Sequence, residues 1–209
     1  MRVLLLLIAL LSGCAFYTTF KGSKPILAGE TRQTPVVELD GLDLNIRVYN
    51  DIRDFQMVNS VVLIPVYVSG KDEPVYEGQE EFFILLGYKA HTGDFTFDAK
   101  KTWLLIDGKK LEASVEQKWK NPVSRGADKW TGFCGKPIPD SYERISQDPL
   151  PQDDSKLWHC YRLKFDVSPP HPSDKFGLRI EGMARGGALY PIPDIWFEEY
   201  GWQHSDSVP

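Results

Sequence analysis

Between residues 36 and 200 the chain is dominated by alternation of apolar and polar side chains. Leu42, Leu44, Ile46 and Val48 alternate with Asp43, Asn45, Arg47 and Tyr49, the period of a half-buried strand. Val61 to Val68 is apolar on both parities and predicts a more central strand, in which Pro65 requires a bulge or a sheet edge. Glu81 to Tyr88 predicts a strand buried on both faces, and Phe95 and Phe97 open the next. Leu104 to Leu111 predicts a hairpin, because Asp107-Gly108 supplies the two positive-φ positions of a type I′ turn. Leu111, Ala113 and Val115 then alternate with Glu112, Ser114 and Glu116. Regularity returns at Leu157: Tyr161, Leu163, Phe165 and Val167 share one parity, with Cys160, Arg162, Lys164 and Asp166 on the other. Phe176, Leu178 and Ile180 alternate with Gly177, Arg179 and Glu181, and Gly186-Gly187 predicts a second hairpin turn leading into Leu189 to Tyr200.

Three stretches break the pattern. Residues 15–35 mix Gly, Pro, Thr and Lys without period. Residues 119–156 carry Pro122, Pro137, Pro139, Pro149 and Pro151 and read as one long insertion, a length that in a compact domain is commonly functional or disordered. The tail from His204 is polar and is expected to fray. About eight to ten short strands, close turn signals and no amphipathic helix predict an all-β, antiparallel domain. An immunoglobulin-like sandwich is the first choice and a lipocalin-like barrel the second. No internal repeat points to a solenoid or propeller.

The N-terminus has a pattern of its own. Arg2 precedes an unbroken apolar run from Val3 to Leu11, followed by Ser12 and Gly13, the layout of a secretory signal peptide. The run is far shorter than the about 20 apolar residues needed to span a bilayer. Leu11-Ser12-Gly13-Cys14 resembles the lipobox of bacterial lipoproteins. The resemblance implies that the Cys14 sulfur takes a diacylglyceryl group, that the chain is cut before Cys14, and that the new amino group is acylated. Several acyl chains make a stable anchor where one does not. In enteric-type bacteria an aspartate after the lipidated cysteine favours the inner membrane; Ala15 here implies the outer membrane. The expected organisation is a signal peptide over 1–13, a lipid-anchored tether over 14–35, a single β domain over 36–200 with its insertion at 119–156, and a tail over 201–209.

Composition narrows the partners. The chain has 209 residues, 42% hydrophobic and 12% aromatic, enough for a substantial core. Its formal net charge of −5 argues against nucleic acid, which wants a basic stripe. With Cys14 consumed by lipid, Cys134 and Cys160 form an even pair in a compartment that permits disulfides, and a bridge is expected. Closing that loop of about 26 residues would contribute roughly 3.5 kcal/mol in the chain-entropy picture. The parity of Cys160 would pin the insertion to the outer face of its sheet.

Candidate chemistry is sparse. His91 and Asp94 flank the turn Thr92-Gly93, where a general base with a neighbouring carboxylate is conceivable, but a plain polar turn is the preferred reading. Asp148, Asp153 and Asp154 lack calcium-loop spacing, and His159, His171 and His204 lack metal-ligand spacing, His159 falling on the inward parity of its strand. No catalytic residue, metal site or cofactor is therefore assigned. The insertion offers a binding surface instead: Trp130, Phe133 and Tyr142, with Trp119 and Trp158 at its base, aromatics of the kind that anchor protein interfaces or stack on sugars. The expectation is a non-enzymatic, membrane-anchored envelope protein with a protein or glycan partner. A carbohydrate- or peptidoglycan-binding module is the alternative, and an envelope hydrolase a further one.

Overall fold

The structure is a computed structural model, and it describes residues 14–27, 36–61, 64–69, 73–75, 81–119, 142–144, 150–151 and 157–206. In chain order its strands are β1 (Cys14–Leu27), β2 (Val36–Leu39), β3 (Leu42–Val48), β4 (Ile52–Val61), β5 (Ile64–Ser69) and β6 (Glu73–Pro74). There follow β7 (Phe82–Ala90), β8 (Phe95–Phe97), β9 (Thr102–Ile106), β10 (Lys109–Glu112), β11 (Val115–Trp119) and β12 (Tyr142–Arg144). The last are β13 (Leu150–Pro151), β14 (His159–Phe165), β15 (Phe176–Ile180), β16 (Met183–Arg185), β17 (Ala188–Leu189) and β18 (Ile195–Asp206). The fold is all-β and antiparallel, with a 3₁₀ turn at Ala99–Lys101 in place of any α-helix among the described residues.

The described strands form three sheets. The largest runs β10-β9-β15-β18-β1-β4-β5, with β6 beside β4. The second runs β12-β11-β14-β7-β3-β2, and a small third sheet, β13-β8-β16-β17, stands beside them. One core joins all three. Leu104, Phe176, Leu178, Ile195 and Phe197 come from the first; Leu44, Ile46, Ile84, Leu86, Tyr88, Tyr161 and Leu163 from the second; Phe95, Phe97 and Met183 from the third. Aromatic rings carry much of it: Tyr88 stacks on Tyr161 at 5.7 Å, and Phe97 meets Tyr161 edge-on at 4.9 Å, arrangements that add to simple burial. Burial, with Tyr161 alongside, pushes the Tyr88 phenol well above its ordinary pKa. His159, on the inward parity as expected, is 5% exposed and stacks on Tyr88 at 5.3 Å.

The turn chemistry operates as its residues dictate. Asp107 and Gly108 take φ of 51° and 71°, and Gly186 and Gly187 take 58° and 81°, the left-handed pairs that tight hairpins require. β7 is buried along nearly its whole length. Pro65 sits on β5, the edge of the large sheet, where a missing N–H is tolerated.

The ends of the chain depart from expectation. Residues 14–27 do not form the first part of a tether; they are β1, in the interior of the large sheet. Its ladder with β18 runs from Phe16↔Asp206 to Leu27↔Ile195, and its ladder with β4 from Cys14↔Asn59 to Lys21↔Ile52. The same pairing makes residues 201–206 a strand instead of a frayed tail. β1 has no alternation of its own and forms because neighbours on both sides satisfy its backbone, so strand formation there depends on partners more than on propensity. Pro25 falls beyond the part paired with β4. Two further corrections concern the middle of the chain. The run Leu111–Val115 is not one strand, since it changes sheets at Ala113-Ser114, where the Ser114 amide donates to the Lys164 carbonyl (2.8 Å). The insertion holds two short strands, β12 and β13, each added to a sheet edge.

Candidate functional site

The aromatics assigned to the insertion are only partly within the described residues: Trp130, Phe133 and Cys134 lie outside them. Trp119 and Tyr142 are directly opposite one another on β11 and β12. Trp158 is 4% exposed and belongs to a second apolar cluster with Tyr49, Phe83, Leu85 and Cys160, on the face of the second sheet turned away from the main core. Cys160, at 1% exposure, thus occupies the outer face that its parity indicated. Cations cover this cluster: Arg162 lies 4.4 Å from the Phe83 ring centroid, Arg47 4.9 Å from Tyr49 and Lys89 5.7 Å from Trp158. Trp158 therefore helps to close this face and is not available to an outside partner.

His91 and Asp94 are both exposed and engage other groups. His91 Nε2 is 3.1 Å from Asp43 Oδ2. Asp94 accepts from Thr92 Oγ1 and pairs with Arg185 at 3.3 Å, and Arg185 reaches Asp40 at 3.3 Å. The Thr92 hydroxyl first, and then Arg185, hold the Asp94 carboxyl below its usual range, which makes it a weaker proton acceptor. His171 closes a small turn, its amide donating to Asp174 Oδ2 (2.8 Å) with its ring 2.6 Å from Ser173 Oγ. His204 lies on β18. Asp148, Asp153 and Asp154 are outside the described residues. Among the described residues no three His, Cys, Asp or Glu side chains are grouped to hold a metal ion.

A better-formed surface lies on the outward face of the large sheet. Ile195 and Phe197 point into the core, so Trp196, Glu198, Tyr200 and Trp202 face outward by the two-residue period of β18. Cross-strand register adds Gly177 of β15 and Ile26 of β1 opposite Trp196, and Trp103 of β9 opposite Arg179. Gly177 is what lets the Trp196 ring lie across β15: a Cβ there would stand 2.9 Å from Trp196 Cε3 and 2.9 Å from the Ile195 carbonyl.

Two grooves meet at Trp196 and Lys175. One, of 740 Å³, runs past Ile26, Leu27, Pro172 and Glu198; the other, of 520 Å³, runs past Leu105, Ile106, Lys109 and Asp194. The wall of the second is fixed by an ion pair. Arg179 donates from Nε and Nη2 to the two Asp194 oxygens at 2.8 and 2.6 Å, a bidentate fork that adds direction to charge. That contact holds the Asp194 carboxyl below its usual pKa and raises that of Arg179. Beside it, Glu181 accepts from Lys110 Nζ at 2.9 and 2.8 Å and from Trp103 Nε1 at 2.9 Å; the Lys110 contact is the main reason the Glu181 pKa is lowered. Lys110 lies 4.2 Å from the Trp103 ring centroid and Lys175 5.3 Å from that of Trp196. A half-exposed aromatic plane bounded by oriented donors and acceptors can stack on one flat ligand ring while bonding its polar rim.

Sequence reasoning placed the binding aromatics in the insertion and passed over this face. The signal was there: in Ile195-Trp196-Phe197-Glu198-Glu199-Tyr200-Gly201-Trp202 three aromatics share the parity of Glu198, opposite the core residues. No known family model matches the chain, and no functionally characterised protein matches it in sequence.

Proposed function

We propose that this chain is a lipid-anchored protein of the bacterial envelope whose role is to hold a partner, not to catalyse a reaction. The observation that carries the binding role is the pair of grooves meeting at Trp196 and Lys175 on a rigid sheet face. Lipidation at Cys14 and export to the outer membrane rest on the lipobox residues Leu11-Ser12-Gly13-Cys14 and on Ala15. The Cys134–Cys160 bridge belongs to the same proposal, since the envelope permits it.

A photo-crosslinker at Lys109, on the rim of the second groove, should capture one defined envelope partner, and Trp196→Ala should abolish that capture. Repeated capture of nothing, or capture indifferent to Trp196, sinks the reading. The alternative ligand, a glycan or peptidoglycan strand, is supported by the partly exposed plane of Trp196 among polar groups. Its test is retention on purified cell wall, lost on Trp196→Ala and kept on Trp130→Ala.

A further inference from the structure

On the same outward face of β1 and β18, beyond the Glu198 end of the first groove, stands a second aromatic group. Phe20 stacks on Trp202 at 5.3 Å and 10°, Trp202 stacks on Tyr200 at 4.9 Å and 18°, and Lys24 Nζ lies 4.0 Å from the Tyr200 ring centroid. None of the three rings belongs to either apolar cluster, and Phe20, Tyr200 and Trp202 are all partly exposed. Tyrosine and tryptophan joined to a lysine stem combine apolar bodies with polar tips, the chemistry enriched at the boundary between lipid and water.

Their position relative to Cys14 decides what they meet. β1 is continuous from Cys14 to Leu27, so Phe20 stands six residues, about 20 Å, along a paired strand from the residue proposed to carry lipid. We infer that the Phe20–Trp202–Tyr200 stack is a second membrane contact, lying in the headgroup layer of the bilayer that holds the Cys14 acyl chains. This rests on the lipid-anchor reading. A headgroup layer is roughly 6 Å deep on each side, so β1 must lie within roughly 20° of the membrane plane over its about 20 Å. The domain would then be held at two points and would not swing on one. The full chain's net charge of −5 gives no overall attraction to anionic lipid, so the contact is expected to form on a zwitterionic surface.

The test uses the full lipidated protein in phosphatidylcholine vesicles carrying lipids brominated at shallow or deep acyl positions. Tryptophan emission should be quenched more by the shallow bromines than by the deep ones. Trp202→Phe, which keeps the stack but removes the fluorophore, should lower the quenchable part of the emission at least twofold. Equal quenching in Trp202→Phe and the natural chain, or none in either, overturns the membrane contact. The mass of the N-terminal peptide separates the two readings: lipid on Cys14 with unquenched Trp202 defeats only the contact, whereas unmodified Cys14 defeats the anchor and the contact together.

Discussion

Two glycines show how differently one residue type is used along this chain. A Cβ on Gly182 would stand 1.9 Å from the Asp98 carbonyl oxygen, and Asp98 itself donates its amide to the Gly182 carbonyl at 2.9 Å. Gly182→Ala must therefore push two backbones apart, with an expected loss of about 3 kcal/mol or more by urea unfolding. A Cβ on Gly93, in the exposed turn before β8, would meet nothing within 4 Å. Gly93→Ala should leave stability unchanged or raise it by about 0.5 kcal/mol, through the unfolded chain. The Arg179–Asp194 pair makes stability depend on pH at the same scale. Because the folded pKa of Asp194 lies below its ordinary value, the pair's contribution is fully present above the ordinary carboxylate range of about 4 and is lost as pH falls through the folded value. Asp194→Asn should show a shallower fall of stability with acid than the natural chain, and an identical acid slope would mean that the pair contributes nothing. Its residues are partly exposed, so added salt should weaken the effect.

At the scale of elements, β1 is where partners override pattern. Its residues Thr18, Thr19, Lys21, Gly22 and Ser23 give no apolar rhythm, and its identity comes from β18 and β4, the first of them far away in sequence. Local reading cannot reach such a pairing. By contrast β3, β14 and β15 were legible because each carries its own period and buries one parity in the main core, and β7 was legible as an unbroken apolar run that buries one parity in that core and the other in the second cluster. The Asp107-Gly108 hairpin was legible too, because its turn demands are purely local. Lys21→Pro tests β1 directly. Lys21 is paired with Gly201 on one side and Ile52 on the other, so a proline there loses a ladder bond, at about 3 kcal/mol. A flexible tether at this position would tolerate the change with no shift in the unfolding midpoint.

For the molecule as a whole, the all-β antiparallel class was readable from the strand count and turns, whereas the candidate site was not, although its residues were in view. The insertion drew attention by its length and its aromatics. Trp196 becomes part of a surface only once Gly177 and Lys175 are brought beside it from β15 and the loop before it. Cys160, buried against Trp158 and Leu85, is the position from which the proposed bridge to Cys134 would hold the insertion. Reduction should then lower stability by about 3.5 kcal/mol, and Cys134→Ala should remove that sensitivity to reductant; stability indifferent to reductant would defeat the bridge.

The placement of β1 also has a mechanical side. A pull applied at Cys14 along the strand axis acts on ladders whose hydrogen bonds lie across that axis, so both neighbours, β18 and β4, resist together in shear. Pulling β10 sideways from the edge of the same sheet would open its bonds one after another, like a zip. With lipid on Cys14 and β1 near the membrane plane, drag within that plane would enter the domain along this axis, through a strand clamped from both sides.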